Sequence, residues 1–231
     1  VASSTRLRAD GVPAALERAC ATIDLLAESE RIPGTPAARR LAAARAKLLT
    51  GRLVLMEAAS DGRLVPARLE SEVGGDDGVD IGGVRIRGRV DRIDAHPLDG
   101  SRFVVDYKTG AVPSKSRIGT GEALQLPLYL LALQAEGGSA VLGGAYVSPA
   151  EEGRSGVVLE EAVDDVGSVS SGCRELTAAE AAALCDGTRQ LAVQAAEDMR
   201  RGLIAPRADR ACPHWCGLGA ACRSRRGAWR P

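Results

Sequence analysis

Apolar positions recur along this chain with two different periods, and the change of period divides it. From Pro13 to Glu30, Leu16, Ala19, Cys20, Ile23, Leu26 and Ala27 fall at helical spacing with acids and Arg18 elsewhere. An amphipathic helix is predicted, with Cys20 on its apolar side. Pro33-Gly34 and Pro36 break the pattern, and a second helix, rich in Ala, Leu and Arg, is predicted over Ala37 to Ala59 before the turn Ser60-Asp61-Gly62. Leu64 to Val73 then reads as a strand, and GGDDGVDIGG as a turn-rich connector. Val84 to Ile93 alternates Val84, Ile86, Gly88 and Val90 with Arg85, Arg87, Arg89 and Asp91, which predicts one half-buried strand. A hairpin turn through AHPLDGS leads to a short apolar strand, Arg102 to Tyr107.

Helical character returns in GEALQLPLYLLALQA, Gly121 to Ala135, where Pro127 demands an early-turn or kinked position. A strand over Ala140 to Val147 and an edge strand at Val157 to Leu159 follow. Thr177-Ala-Ala-Glu180 has the form of a capping box and opens a long helix reaching about Arg201. The chain therefore reads as one α/β domain, with helices over residues 1–63, a sheet and its helix over 64–147, an edge segment and long helix over 148–203, and a cysteine-rich tail over 204–231. No internal repeat is visible.

Composition narrows the class of protein. Thirty basic side chains balance thirty acidic ones, so a polyanionic partner would have to be met by a local patch rather than a global field. No apolar run approaches the roughly twenty residues a bilayer needs. The opening VASSTRLRAD has neither Met nor the apolar core of a signal peptide, which suggests a piece of a larger protein. Three of the six cysteines crowd into the last twenty residues, a distribution expected of a metal site in a reducing, cytoplasmic compartment rather than of a secreted disulfide framework.

The chemistry concentrates in the predicted hairpin. Asp91 and Asp106 stand near the ends of its two strands, and paired carboxylates suit Mg²⁺ or Mn²⁺. Lys108, two residues after Asp106, projects on the same side of the strand. Lysine occurs only at positions 47, 108 and 115, so a compact ammonium stands here in a chain that otherwise uses Arg. The same acids also have a plainer use, as hairpin-end residues in which Asp91, Asp94 and Asp106 pair with Arg89 and Arg92 at the surface.

GRVDRID, VVDYKTG and QLPLY, in that order, closely resemble the RecB-like branch of the PD-(D/E)XK nuclease superfamily. The resemblance covers Val84 to Leu131. It implies a restriction-endonuclease-like core, a mixed central sheet flanked by helices, that hydrolyses DNA with a divalent metal. Asp91, Asp106 and the backbone carbonyl of Tyr107 would hold Mg²⁺ or Mn²⁺, Lys108 would place the attacking water, and Gln125 and Tyr129 would contact DNA or brace the site. The implied setting is a helicase–nuclease that repairs double-strand breaks, with the motor in the same chain or in a partner subunit, acting on single-stranded or duplex ends and away from membranes.

One departure from the family is plain. Its upstream Gly-x-x-x-His helix supplies a further metal ligand, but neither His96 nor His214 occupies that place, leaving Glu70 or Glu57 as substitutes or a catalytically degenerate domain. The resemblance also implies that Cys212, Cys216 and Cys222 hold a [4Fe–4S] cluster with one upstream cysteine, for which Cys20 is available. A Zn²⁺ site of Cys212, His214, Cys216 and Cys222 is the competing assignment. Cys20 as a plain core cysteine, and Cys173 and Cys185 as structural residues, complete the set of readings.

Overall fold

A computed structural model describes residues 7–29 and 33–203. Its first two helices are those the apolar spacing predicts. Helix α1 (Val12–Glu28) has Pro13 in its first turn, where a missing N–H costs nothing. Helix α2 (Pro36–Ala58) is capped by Thr35, whose side chain accepts from the Ala38 N–H at 3.2 Å. Strand β1 (Val65–Val73) follows, then β2 (Val79–Asp80), β3 (Arg85–Ile86), β4 (Gly88–Ala95) and β5 (Arg102–Tyr107). The single strand expected over Val84 to Ile93 is thus divided. Arg85–Ile86 pairs with Val79–Asp80 in a ribbon of its own, which the turn-rich connector helps to build.

Beyond β5 come the short α3 (Lys115–Gly119), α4 (Gln125–Glu136), β6 (Val141–Ser148), β7 (Gly153–Leu159), the short α5 (Val163–Val166), β8 (Cys173–Leu176) and α6 (Ala178–Arg200). Helix α4 starts at Gln125, not Gly121, so Pro127 falls in its first turn and breaks no hydrogen bond. The edge strand expected at Val157–Leu159 is instead an interior one. It runs from Gly153 and lies between β6 and β8. The capping box of α6 forms as expected, with Thr177 and Glu180 exchanging side-chain and backbone bonds.

The six-stranded sheet has the order β1-β4-β5-β6-β7-β8. Strands β5 and β6 run parallel, as do β7 and β8, and the other pairs are antiparallel. A parallel pair needs a crossover, and α4 provides it between β5 and β6. This mixed sheet flanked by helices is the α/β, restriction-endonuclease-like architecture expected of the sequence.

Apolar clusters fill both faces of the sheet. On one, Val90, Ile93, Val104 and Tyr146 meet Leu126, Leu130 and Leu133 of α4, together with Leu184 of α6. On the other, Phe103, Val105, Val147 and Val158 meet Leu53 and Met56 of α2. Helix α1 packs on α2. The approach of α4 to the sheet is close enough that a Cβ on Gly144 would lie 2.7 Å from Leu126 Cδ1, so Gly144 in β6 is what lets the helix seat. No helix among the described residues is long and apolar enough to cross a membrane.

Candidate active site

Strands β4 and β5 are in register from Ala95↔Arg102 to Arg92↔Val105, after which the ladder stops. The next pair in that register would be Asp91 and Asp106. Here the strands part, and the Asp91 side chain replaces backbone pairing, Oδ2 accepting from the Tyr107 N–H at 2.8 Å. The pleat of β4 is interrupted at the same point. Val90 and Ile93, three residues apart, pack in one cluster, whereas strict alternation would send them to opposite faces. Arg92 and Asp94 lie across the sheet from that cluster, where Arg92 reaches Glu57 of α2.

From Asp106 a continuous set of polar contacts runs to helix α4. Lys108 Nζ stands 2.5 Å from Asp106 Oδ2 and donates to Gln125 Oε1 at 2.8 Å. Gln125 Nε2 donates to the Tyr129 hydroxyl at 3.1 Å, and that hydroxyl donates to the Arg89 carbonyl at 2.8 Å. Gln125 and Tyr129 are one helical turn apart on one face, which is why both reach the same strand ends. The closeness of Tyr129 to β4 also accounts for Gly88. A Cβ there would lie 2.8 Å from Tyr129 Cε1.

Asp106 is 2% exposed. Burial pushes its carboxyl above the usual carboxylate range; Lys108 opposes the shift and Asp91 adds to it. Apart from the ion pair with Lys108, its Oδ2 has no hydrogen-bond partner among the described residues. A buried oxygen with spare lone pairs beside a second carboxylate fits a hard divalent cation. Asp91 and Asp106 are the protein groups able to hold one. Among the described residues no set of three or more His, Cys, Asp or Glu side chains converges on a metal position, so water and phosphate oxygens would complete the shell.

Other expected residues go elsewhere. Glu57 does not replace the missing histidine, because both its oxygens are taken by Arg92 at 2.6 and 3.0 Å on the far side of the sheet. Glu70 stands between the pairs Leu69↔Arg92 and Ser71↔Val90, level with Asp91, but is exposed, with a left-handed backbone at φ 46°. His96 lies at the hairpin turn near Asp99. Cys20 is half-buried on α1, while Cys173 and Cys185 are buried, and burial pushes the Cys173 thiol up to about 12. That is the behaviour of a core cysteine rather than a thiolate ligand. Cys212, His214, Cys216 and Cys222 lie outside the described residues.

The plainer reading of the hairpin acids holds for Asp94 alone, and there the pair is buried rather than at the surface. Arg92 donates to both Asp94 oxygens, to Glu57 and to the Tyr107 hydroxyl. Burial works against the Arg92 charge, but the bonds to Asp94 and Glu57 outweigh it and hold the guanidinium above its ordinary pKa. Sequence reasoning named Arg92 only as a surface partner of these acids, without its bonds to Glu57 and the Tyr107 hydroxyl, and it missed Tyr146. A signal for Tyr146 existed in the composition. The chain has three tyrosines, and two of them, Tyr129 and Tyr146, pack in the cluster on the site's face of the sheet, with the Tyr107 ring on the other face.

A family model described as the PD-(D/E)XK nuclease superfamily matches residues 4–223. The chain belongs to this superfamily. A search of curated proteins returns no significant match. In this PD-(D/E)XK nuclease-family chain Asp106-Tyr107-Lys108 has the D-x-K form; it is the segment in which β5, parted from β4, still pairs with β6 and Lys108 meets α4.

Proposed function

We propose that the chain is a divalent-metal-dependent deoxyribonuclease domain that hydrolyses phosphodiester bonds at DNA ends, single strands foremost. The observation that carries this reading is the convergence of Asp91, the buried Asp106 carboxylate and its ion-pair partner Lys108 where β4 and β5 part. Asp91 and Asp106, with the Tyr107 carbonyl, hold Mg²⁺ or Mn²⁺. Tyr107 is fixed for this from both sides, its N–H by Asp91 and its hydroxyl by Arg92. Held there, such an ion would lower the pKa of a coordinated water and stabilise charge on the phosphodiester.

Lys108 orients the attacking water and offsets developing negative charge with a compact ammonium. Gln125 holds that ammonium in place, and Tyr129 holds Gln125. Glu70, level with Asp91 on β1, is the available carboxylate for a further water-mediated contact. The partner is DNA delivered by a helicase motor, in the same chain or in another subunit. In the tail, Cys212, Cys216 and Cys222, with Cys20, are assigned to a [4Fe–4S] cluster, or with His214 to Zn²⁺; metal analysis of the purified full chain decides between iron with sulfide and zinc.

A second reading, a nuclease-like domain that holds DNA without cutting it, is favoured by the want of a third carboxylate or imidazole near Asp91 and Asp106 among the described residues. Cleavage of end-labelled single-stranded and duplex DNA, with Mn²⁺ or Mg²⁺, separates the two. Asp106→Ala and Lys108→Ala are each expected to lower the rate by at least about a hundredfold. An intact chain that binds DNA but cuts none, or variants that cut as fast as the wild type, would establish the non-cutting reading or move the catalytic centre elsewhere.

A further inference from the structure

The nuclease reading leaves Tyr146 unused. It is 1% exposed, in β6, with Asp106 as its register partner on one side and Ser155 on the other. A buried tyrosine must find a partner for its hydroxyl, and this one finds the first turn of α4. The hydroxyl accepts from the Leu126 N–H at 2.9 Å.

That bond answers a defect in the helix. The first N–H groups of any helix have no partner within it, and α4 has Leu124 at its N-cap, which supplies no side-chain acceptor. Leu126 is fully buried, so water does not reach its amide. Tyr146 therefore caps α4 from the sheet, one residue beyond Gln125. Its ring takes part as well, because Lys108 Nζ stands 5.1 Å from the ring centroid, within the range at which an aromatic face attracts an ammonium. The Lys108 side chain is 29% exposed. Its ammonium is thus bounded by the Asp106 carboxylate, the Gln125 amide and the Tyr146 ring.

We propose that Tyr146 is the positioning residue for the Lys108–Gln125 pair: its ring seats the ammonium, and its hydroxyl sets the helix turn from which Gln125 meets that ammonium. The geometric part stands by itself, and the consequence for catalysis rests on the nuclease reading. Tyr146→Phe keeps the ring and removes the cap. Tyr146→Leu removes both.

The test uses the full chain with ¹³C-labelled lysine, which yields three side-chain signals because the chain has lysine at three positions, with Lys108 assigned through Lys108→Met. The Lys108 ε-methylene is expected to be displaced upfield by the Tyr146 ring, to stay displaced in Tyr146→Phe and to lose the displacement in Tyr146→Leu. In steady-state cleavage with Mn²⁺, Tyr146→Phe is expected to lower kcat about tenfold with KM unchanged. Combined with Gln125→Ala, it should slow the reaction no further than Gln125→Ala alone, because both act through Lys108. An undisplaced Lys108 signal in the wild type, or effects of Tyr146→Phe and Gln125→Ala that multiply, would overturn the proposal. A displaced Lys108 signal in a protein that cuts no DNA would uphold the placement of Lys108 and sink the nuclease reading instead.

Discussion

Asp106 is the residue at which fold stability and chemistry oppose each other. Because burial raises its pKa, the folded state holds the proton more tightly than the unfolded chain does. The stability this group supplies is therefore complete below the ordinary carboxylate pKa and lost as pH rises through the raised value. In chelator at neutral pH, Asp106→Asn is expected to melt higher than the wild type, and the two curves should converge as the pH falls below the carboxylate range. A variant less stable than the wild type at neutral pH would show that the Lys108 ion pair outweighs burial. Gly88 makes a simpler case. Tyr129 leaves no room for a Cβ there, and Gly88→Ala is expected to cost about 1–3 kcal/mol in urea denaturation through overpacking, with loss of activity as Tyr129 is displaced.

At the scale of elements, a charged cluster links helix α2 to the sheet. Arg92 binds Asp94 on its own strand, Glu57 on α2 and the Tyr107 hydroxyl on β5. Removing the guanidinium would leave the buried Asp94 carboxylate and Glu57 without it. Arg92→Met is accordingly expected to destabilise by about 3–5 kcal/mol, read by urea denaturation, and to loosen the Tyr107 peptide between Asp106 and Lys108. Elements were the most legible level in the sequence. Helices α1, α2 and α6 and strands β1, β5 and β6 follow from apolar period, proline positions and the capping box, all of which act locally. Strand β7 was under-read, since interior strands carry no alternation to mark them. The division at Arg87 leaves no mark in the pattern, because the run from Val84 to Ile93 keeps its alternation in sequence while the backbone on either side pairs with different partners.

At the scale of the molecule, a metal that binds the folded site and not the unfolded chain must stabilise the fold by mass action. With Mg²⁺ or Mn²⁺ at about a hundred times its Kd, the gain is about 2.7 kcal/mol, seen as a rise in Tm that Asp106→Asn should abolish. A wild-type Tm indifferent to both ions would exclude Asp91 and Asp106 as a metal site. The sequence by itself determined the α/β class and the order of most elements, and it picked out Asp91, Asp106, Lys108, Gln125 and Tyr129 as the candidate site, because short motifs and local periods are written in consecutive residues. Only the tertiary structure decided that Asp94 and Glu57 belong to Arg92, that Asp91 closes the gap where β4 leaves β5, and that Tyr146 caps α4 beneath Lys108. Those assignments depend on strand register and on which face a side chain takes, and a one-residue interruption of the pleat changes both without leaving a mark in the pattern.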